Sequence, residues 1–198
     1  MNLPFSQACE NNKQPILAVL REVFKQARQV LEIGAGTGQH SVFFAPALTH
    51  LSWQCADLAV NIPAIAQWHS AYPSPNLLPA IVFDLHNPQW PAGFDAVFSA
   101  NTAHIMPWHL TQKMIIEVAK HLPVGGVFAL YGPFNYNGVF TSDSNQRFDE
   151  FLKEQAAHMG IRDFVAINAL ALAGGLYLMQ DYEMPANNRC LVWCKQAP

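Results

Sequence analysis

Short apolar runs alternate along this chain with longer segments whose apolar residues recur at helical spacing, and the alternation predicts the order of elements. Ile16, Leu17, Val19, Leu20, Val23 and Phe24 form a stripe that predicts a leading helix, with Pro15 suited to its first turn. The runs at Gln29–Ile33, Leu51–Ala56, Leu78–Phe83, Phe94–Ser99 and Val127–Tyr131 read as buried strands. Helical patterns lie between them, through Phe43 and Phe44, across Ile62–His69 and over Leu110–His121. Strands and helices in turn predict a doubly wound, mostly parallel sheet with helices on both faces. After strand five, the polar stretch from Gly132 to Asn145 reads as a long loop, a feature that is usually functional in a compact domain. Helices over Arg147–His158 and Asp163–Ala173 follow. Two strands, Leu176–Glu183 and Arg189–Lys195, then close the chain around the turn M-P-A-N-N. No repeat or linker interrupts the pattern, so residues 1–198 read as a single α/β domain. Residues 1–28 form an N-terminal segment and helix expected to cover the site, and residues 29–198 form the core.

Composition narrows the function classes. Hydrophobic residues make up 51% and charged residues 13%, which argues against disorder and leaves room for an oligomer interface. A net charge of −3 without a Lys/Arg run gives no electrostatic case for nucleic acid as a partner. The start of the chain lacks the basic and apolar regions of a signal peptide. The apolar stretch Ala166–Met179 is broken by Asn168, Gly174 and Gly175, so no membrane span is expected. Four cysteines show neither C-x-x-C nor zinc-ligand spacing, so a reduced, cytoplasmic protein without a bound metal is expected.

The candidate chemistry begins at V-L-E-I-G-A-G-T-G-Q-H, where a strand enters Gly34, Gly36 and Gly38 and a helix follows at once. Glycines there allow a tight turn and let the backbone approach a ligand at the helix N-terminus. The spacing is G-x-G-x-G, whereas the dinucleotide fingerprint is G-x-G-x-x-G. Glu32 precedes the turn, and Asp57 ends strand two about twenty residues on, where a carboxylate accepts both hydroxyls of a ribose. Asp84 ends strand three, either as an acceptor for an adenine amino group or as the cap of the next turn.

L-E-I-G-A-G-T-G with Asp57 and Asp84 resembles the class I S-adenosylmethionine-dependent methyltransferases. C-E-N-N-K-Q-P-I-L, S-A-N-T-A-H, Y-G-P-F, F-T-S-D-S-N-Q-R-F-D, G-I-R-D and M-P-A-N-N resemble, more narrowly, a methyltransferase-like family of unknown substrate, nearly end to end. That family's pattern has Glu-Arg-Asn near the N-terminus, where this chain has Glu10, Asn11 and Asn12. The resemblance implies a Rossmann-like seven-stranded sheet ending in an antiparallel hairpin, with S-adenosyl-L-methionine as cofactor and S-adenosyl-L-homocysteine as product. It implies that Glu32, Gly34, Ala35, Gly36 and Gly38 carry the amino-acid end of the cofactor, Asp57 and Leu58 the ribose, and Asp84 and Leu85 the adenine. Ser99, Ala100 and Asn101 would lie beside the methyl donor.

Asn101 and His104 follow strand four and are the catalytic candidates. Methyl transfer needs alignment and exclusion of water, and needs a base only for a protonated acceptor. His104 is placed either as that base or as a brace for its loop, while Asn101, without a useful pKa, orients a ligand. Substrate or lid contacts are expected from Glu10, Asn11, Asn12 and Lys13 ahead of the first helix, from Tyr131, Asn135 and Ser144 after strand five, and from Asn187 and Asn188 in the final turn. Several polar segments and few charges point to a small, largely neutral substrate. Two alternatives stay open: a non-catalytic S-adenosylmethionine-binding module acting through a partner, and a nicotinamide-dependent oxidoreductase.

Overall fold

Helix α1 (Gln7–Val23) starts where Ser6 turns its hydroxyl back to accept the Cys9 N–H at 3.3 Å. The structure is a computed structural model and describes residues 3–197. The expectation that the first helix begins at Pro15 is corrected, because Pro15 lies inside α1. Proline gives up one ladder bond there, and the helix continues because Ile16, Leu17, Val19 and Leu20 bury beyond it. Glu10, Asn11, Asn12 and Lys13 therefore lie on the helix instead of ahead of it.

The chain continues through β1 (Gln29–Ile33), α2 (Gln39–Ala47), β2 (Ser52–Asp57), α3 (Ile62–Ala71), β3 (Leu77–Val82) and β4 (Ala96–Ala100). Then come α4 (Trp108–His121), β5 (Val127–Gly132), β6 (Phe134–Asn135), α5 (Asp143–Gln155), β7 (Arg162–Asp163), α6 (Phe164–Ala173), β8 (Leu176–Met184) and β9 (Asn188–Lys195). Seven strands form one sheet in the order β3-β2-β1-β4-β5-β9-β8, as the resemblance implies, and β6 pairs with β7 separately. The chain divides into two compact units, the first running to Ser99 and the second starting at Ala100.

In the first unit β1 lies between β2 and β4, parallel to both, with Ile33 opposite Ala56 and Glu32 opposite Phe98. β2 is in turn parallel to β3, with Asp57 opposite Val82. Parallel strands buried on both faces need apolar residues on each, and Phe44, Trp53 and Phe98 meet here at 5.5–6.0 Å between ring centroids.

In the second unit β9 is antiparallel to both β5 and β8, so β8 runs parallel to β5. The turn after β8 accordingly lies at the carboxyl end of β5, where Gly132 pairs with Arg189. The stretch expected as one long loop contains β6, in parallel register with β7. Helix α5 begins at Asp143, ahead of the expected Arg147, because the Ser142 hydroxyl caps it by accepting the Asn145 N–H at 3.1 Å. Among the described residues, no helix is long and apolar enough to cross a membrane, and no cluster of three His, Cys, Asp or Glu could hold a metal. The four cysteines are free.

Candidate functional site

Within the first unit, β1 delivers the chain into a turn in which Gly34, Gly36 and Gly38 all have left-handed backbone (φ 75°, 60° and 85°). The Gly34 N–H donates to Ala56 O at 2.9 Å and the Gly38 N–H to Ala35 O at 3.0 Å. A Cβ on Gly38 would stand 3.1 Å from Ile65, whereas one on Gly36 would meet nothing within 4 Å. Gly36 thus borders open space.

Asp57, buried at the end of β2, faces that turn. Its Oδ2 accepts the Gly36 N–H at 2.6 Å, while Oδ1 accepts the Leu58 N–H at 2.7 Å and the Asn61 amide at 2.8 Å. The Phe83 N–H donates to Asp57 O at 2.8 Å, which sets Asp84 beside the end of β2. Asp84 is half exposed, and its Oδ1 accepts the His86 main-chain N–H and lies 2.8 Å from the His86 ring, as the capping role requires. Leu85 and Ala35 are buried, Leu58 is exposed, and the buried Ser99 hydroxyl donates to Ile33 O at 2.7 Å.

Glu32 does not face open space. It is 2% exposed, and its Oε2 accepts the Trp53 indole N–H at 2.7 Å and the Cys55 thiol at 3.4 Å. Burial pushes its carboxyl up to about 7 against the lowering effect of those two donors. The Cys55 sulfur lies 3.6 Å from His69 Nε2, which is 2.9 Å from the Ser41 hydroxyl, which in turn donates to Gly38 O at 2.8 Å. A polar chain, buried except where it passes through the half-buried His69, therefore ties Glu32 to the last glycine of the turn. Sequence reasoning missed Ser41 and His69 because only the fold brings α2 and α3 against β2.

The four α1 candidates have separate fates. Asn12 is buried, with its Oδ1 2.7 Å from His40 Nε2, so that ring nitrogen carries the proton. Burial, with help from the Lys13 charge, pushes the His40 imidazole down to about 4. Asn11 accepts from the Gln7 amide at 2.8 Å. Glu10 pairs with Lys13, whose ammonium lies 4.9 Å from the centre of the Phe43 ring. The start of α1 is pinned to the glycine turn instead by Gln39, whose Oε1 accepts from Ser6 N and the Thr37 hydroxyl.

In the second unit Asn101 has left-handed backbone (φ 57°), a conformation asparagine tolerates better than most residues, and its N–H donates to Tyr131 O at 2.9 Å. His104 is 5% exposed, edge-on to Phe148, and its carbonyl accepts the Gly160 N–H at 2.9 Å. Burial, then the nearby Arg162 charge, pushes its imidazole down to about 4, so the ring is neutral at pH 7. Arg162 gathers this loop by donating to the carbonyls of Ala103, Met106 and His158. Its part was not legible, although it lies in the G-I-R-D motif. Tyr131 and Asn135 are buried. Ser144 accepts from the Asn187 amide at 3.0 Å, and the Asn187 carbonyl accepts from the Asn145 amide at 3.0 Å. Asn188 donates to Pro185 O at 3.1 Å and closes its own turn.

A family model described as "Protein of unknown function (DUF938)" matches residues 3–195. The chain belongs to the DUF938 family. Solved structures similar to this DUF938 protein include O-methyltransferases. An O-methyltransferase family protein from Burkholderia thailandensis is 18% identical with a TM-score of 0.79, over 93% of this chain and 56% of that one. An O-methyltransferase family 2 protein from Planctomyces limnophilus, in complex with apigenin, is 12% identical with a TM-score of 0.83, over 95% and 58%. PigF, solved with SAH, is 14% identical with a TM-score of 0.77, over 91% and 55%. The DUF938 chain spans a little over half the length of these proteins and has the class I methyltransferase fold.

Proposed function

We propose that this protein is an S-adenosylmethionine-dependent methyltransferase acting on a small molecule. The observation that carries the reading is Asp57, whose carboxylate bonds the N–H of Gly36 in a left-handed turn that borders open space. A ribose presents two vicinal hydroxyl donors, and a carboxylate at the end of the second strand is suited to both. Asp57 already accepts three donors out of about four lone-pair sites, one of them the side-chain amide of Asn61, whose place a ribose hydroxyl can take. The residues present therefore fit the cofactor. Gly34, Ala35, Gly36 and Gly38 would hold its amino-acid end at the start of α2, with Leu58 beside the ribose and Asp84 and Leu85 at the adenine. Glu32 would act through the turn it braces. Bound there, the cofactor supplies an electrophilic methyl group on a sulfonium.

The chain's own contribution is to align the acceptor and exclude water. Ser99, Ala100 and Asn101 are assigned to the methyl-donor side. His104 is assigned to the acceptor, as a neutral imidazole able to take a proton from it. Tyr131, Asn135, Ser144, Asn187 and Asn188 remain the candidates for substrate or lid contacts.

Calorimetry with S-adenosylhomocysteine tests the reading. Saturable binding with one site per chain is expected, and Asp57→Ala should weaken it by about 10- to 100-fold, the loss of one or more charge-assisted hydrogen bonds. No binding at millimolar ligand sinks the proposal, and binding of NAD(H) in its place makes the chain an oxidoreductase.

A further inference from the structure

Just beyond β5 the chain carries a polar atom that the protein does not satisfy. Asn135, at the end of β6, is 9% exposed, and its Oδ1 is buried with no hydrogen-bond donor, the one such side-chain atom among the described residues. Native proteins rarely leave a buried acceptor unpaired, because its desolvation is then uncompensated. Asn135 belongs to a defined cluster. Tyr131 O accepts from Asn101, and a Cβ on Gly132 would stand 3.6 Å from His104 Nδ1. β6 is paired with β7, whose Arg162 holds the carbonyls of Ala103 and Met106.

The charged groups of this cluster are already committed. Arg162 donates to three carbonyls, and Asp163 accepts the N–H groups of Gly138 and Val165. Asp149 accepts the Ile161 N–H and pairs with Lys153. The two cations, Arg162 and Lys153, are balanced by the two anions, Asp149 and Asp163, so these four groups carry no net charge toward a ligand, and His104 is neutral at pH 7. What the cluster offers a ligand is a buried, uncharged acceptor.

We infer that Asn135 is a substrate-recognition residue, whose amide oxygen accepts a hydrogen bond from an O–H or N–H group of an uncharged substrate. The inference rests on the methyltransferase reading for the word substrate, and adds the chemical class that the site selects.

The test uses the full ¹⁵N-labelled chain and two shape-matched pairs of probes. Isopropanol and acetone differ in having or lacking a donor, and acetamide and acetate differ in charge and in the donor. The Asn135 side-chain amide signals are assigned by their loss in Asn135→Leu, which keeps the branching of the side chain. Isopropanol and acetamide should shift those signals at least twofold more than acetone and acetate do. Equal shifts, a reversed order or no shift with any probe overturns the inference. Asn135→Leu should also raise Tm by about 2–4 °C, because it removes an unpaired buried polar group from a chain of this size. An unchanged or lower Tm means that the amide is satisfied within the protein, which likewise overturns it. Calorimetry with S-adenosylhomocysteine on the same samples separates the two readings. A chain that discriminates between the probes without binding S-adenosylhomocysteine keeps Asn135 as a recognition residue and loses the methyltransferase function.

Discussion

His104 shows what burial does to a candidate base. Its imidazole sits near Arg162 with 5% exposure, and its affinity for a proton is pushed down to about 4. Such a ring is fully available as an acceptor at pH 7 but holds a proton weakly, which suits brief transfer better than storage. On the proposed function, His104→Ala leaves S-adenosylhomocysteine affinity within about twofold of wild type. It lowers transfer of labelled methyl into a small-molecule extract by about 10²-fold or more, the usual contribution of a positioned acid or base. Loss of the folded state at 25 °C would instead make the ring a brace for its loop. The residues that sequence could reveal are those whose signal is local. Asp57 was visible from its distance to the glycine turn and its place at a strand end. Asn12 is harder to place from sequence, because Pro15 offers itself as the helix start while the helix begins eight residues earlier, at Gln7. Its spacing of four from Ile16, and of eight from Leu20, puts it on the buried face of α1, and that pattern was the available signal.

At the scale of elements, the glycine turn separates two demands that one motif hides. Gly36 and Gly38 share left-handed backbone, but only Gly38 is crowded, with Ile65 at 3.1 Å from the position of a Cβ. Gly36→Ala therefore bears the conformational cost alone, about 1–2 kcal/mol, whereas Gly38→Ala adds overpacking against α3 of about 1–3 kcal/mol. Urea unfolding should rank Gly38→Ala as the less stable variant with an unchanged m-value. Calorimetry should show S-adenosylhomocysteine affinity falling at least about tenfold for Gly36→Ala, because its new methyl group fills the open side of the turn. A Gly36→Ala protein that binds as wild type would mean that no ligand approaches there. Elements that rest on periodicity, such as β1, β2, β5 and the β8–β9 hairpin, were legible to within a residue or two. Strand β6 was not, because two residues carry no period, and its pairing with β7 joins segments far apart in the chain. Helix α5 was placed late because its first turn is polar and is announced only by the Ser142 cap.

For the whole molecule, three buried groups with large shifts dominate how stability depends on pH near neutrality. Burial holds His40 and His104 down to about 4 from 6.5, so the stability they bring is complete above pH 6.5 and is lost as pH falls through about 4. Glu32 works in the opposite sense. Its carboxyl is raised from 4.5 to about 7, so the stability it brings is complete below pH 4.5 and is lost as pH rises through 7. Between pH 4.5 and 6.5 the unfolded chain holds two protons on the histidines that the native state lacks, and the native state holds one on Glu32 that the unfolded chain lacks. From these three groups the net difference is one proton, so they should raise stability by about 1.4 kcal/mol per pH unit across that window, and their contribution levels off between about pH 6.5 and 7.5. Glu32→Gln keeps the size of a neutral acid and removes its titration. One opposing proton is removed, so the slope should steepen by about 1.4 kcal/mol per pH unit, and the rise should continue past pH 6.5 instead of levelling off. Urea unfolding of both proteins from pH 4 to 7.5 reads the two slopes directly. Equal slopes would mean that Glu32 titrates as an ordinary carboxylate and is ionised in the native state across that window.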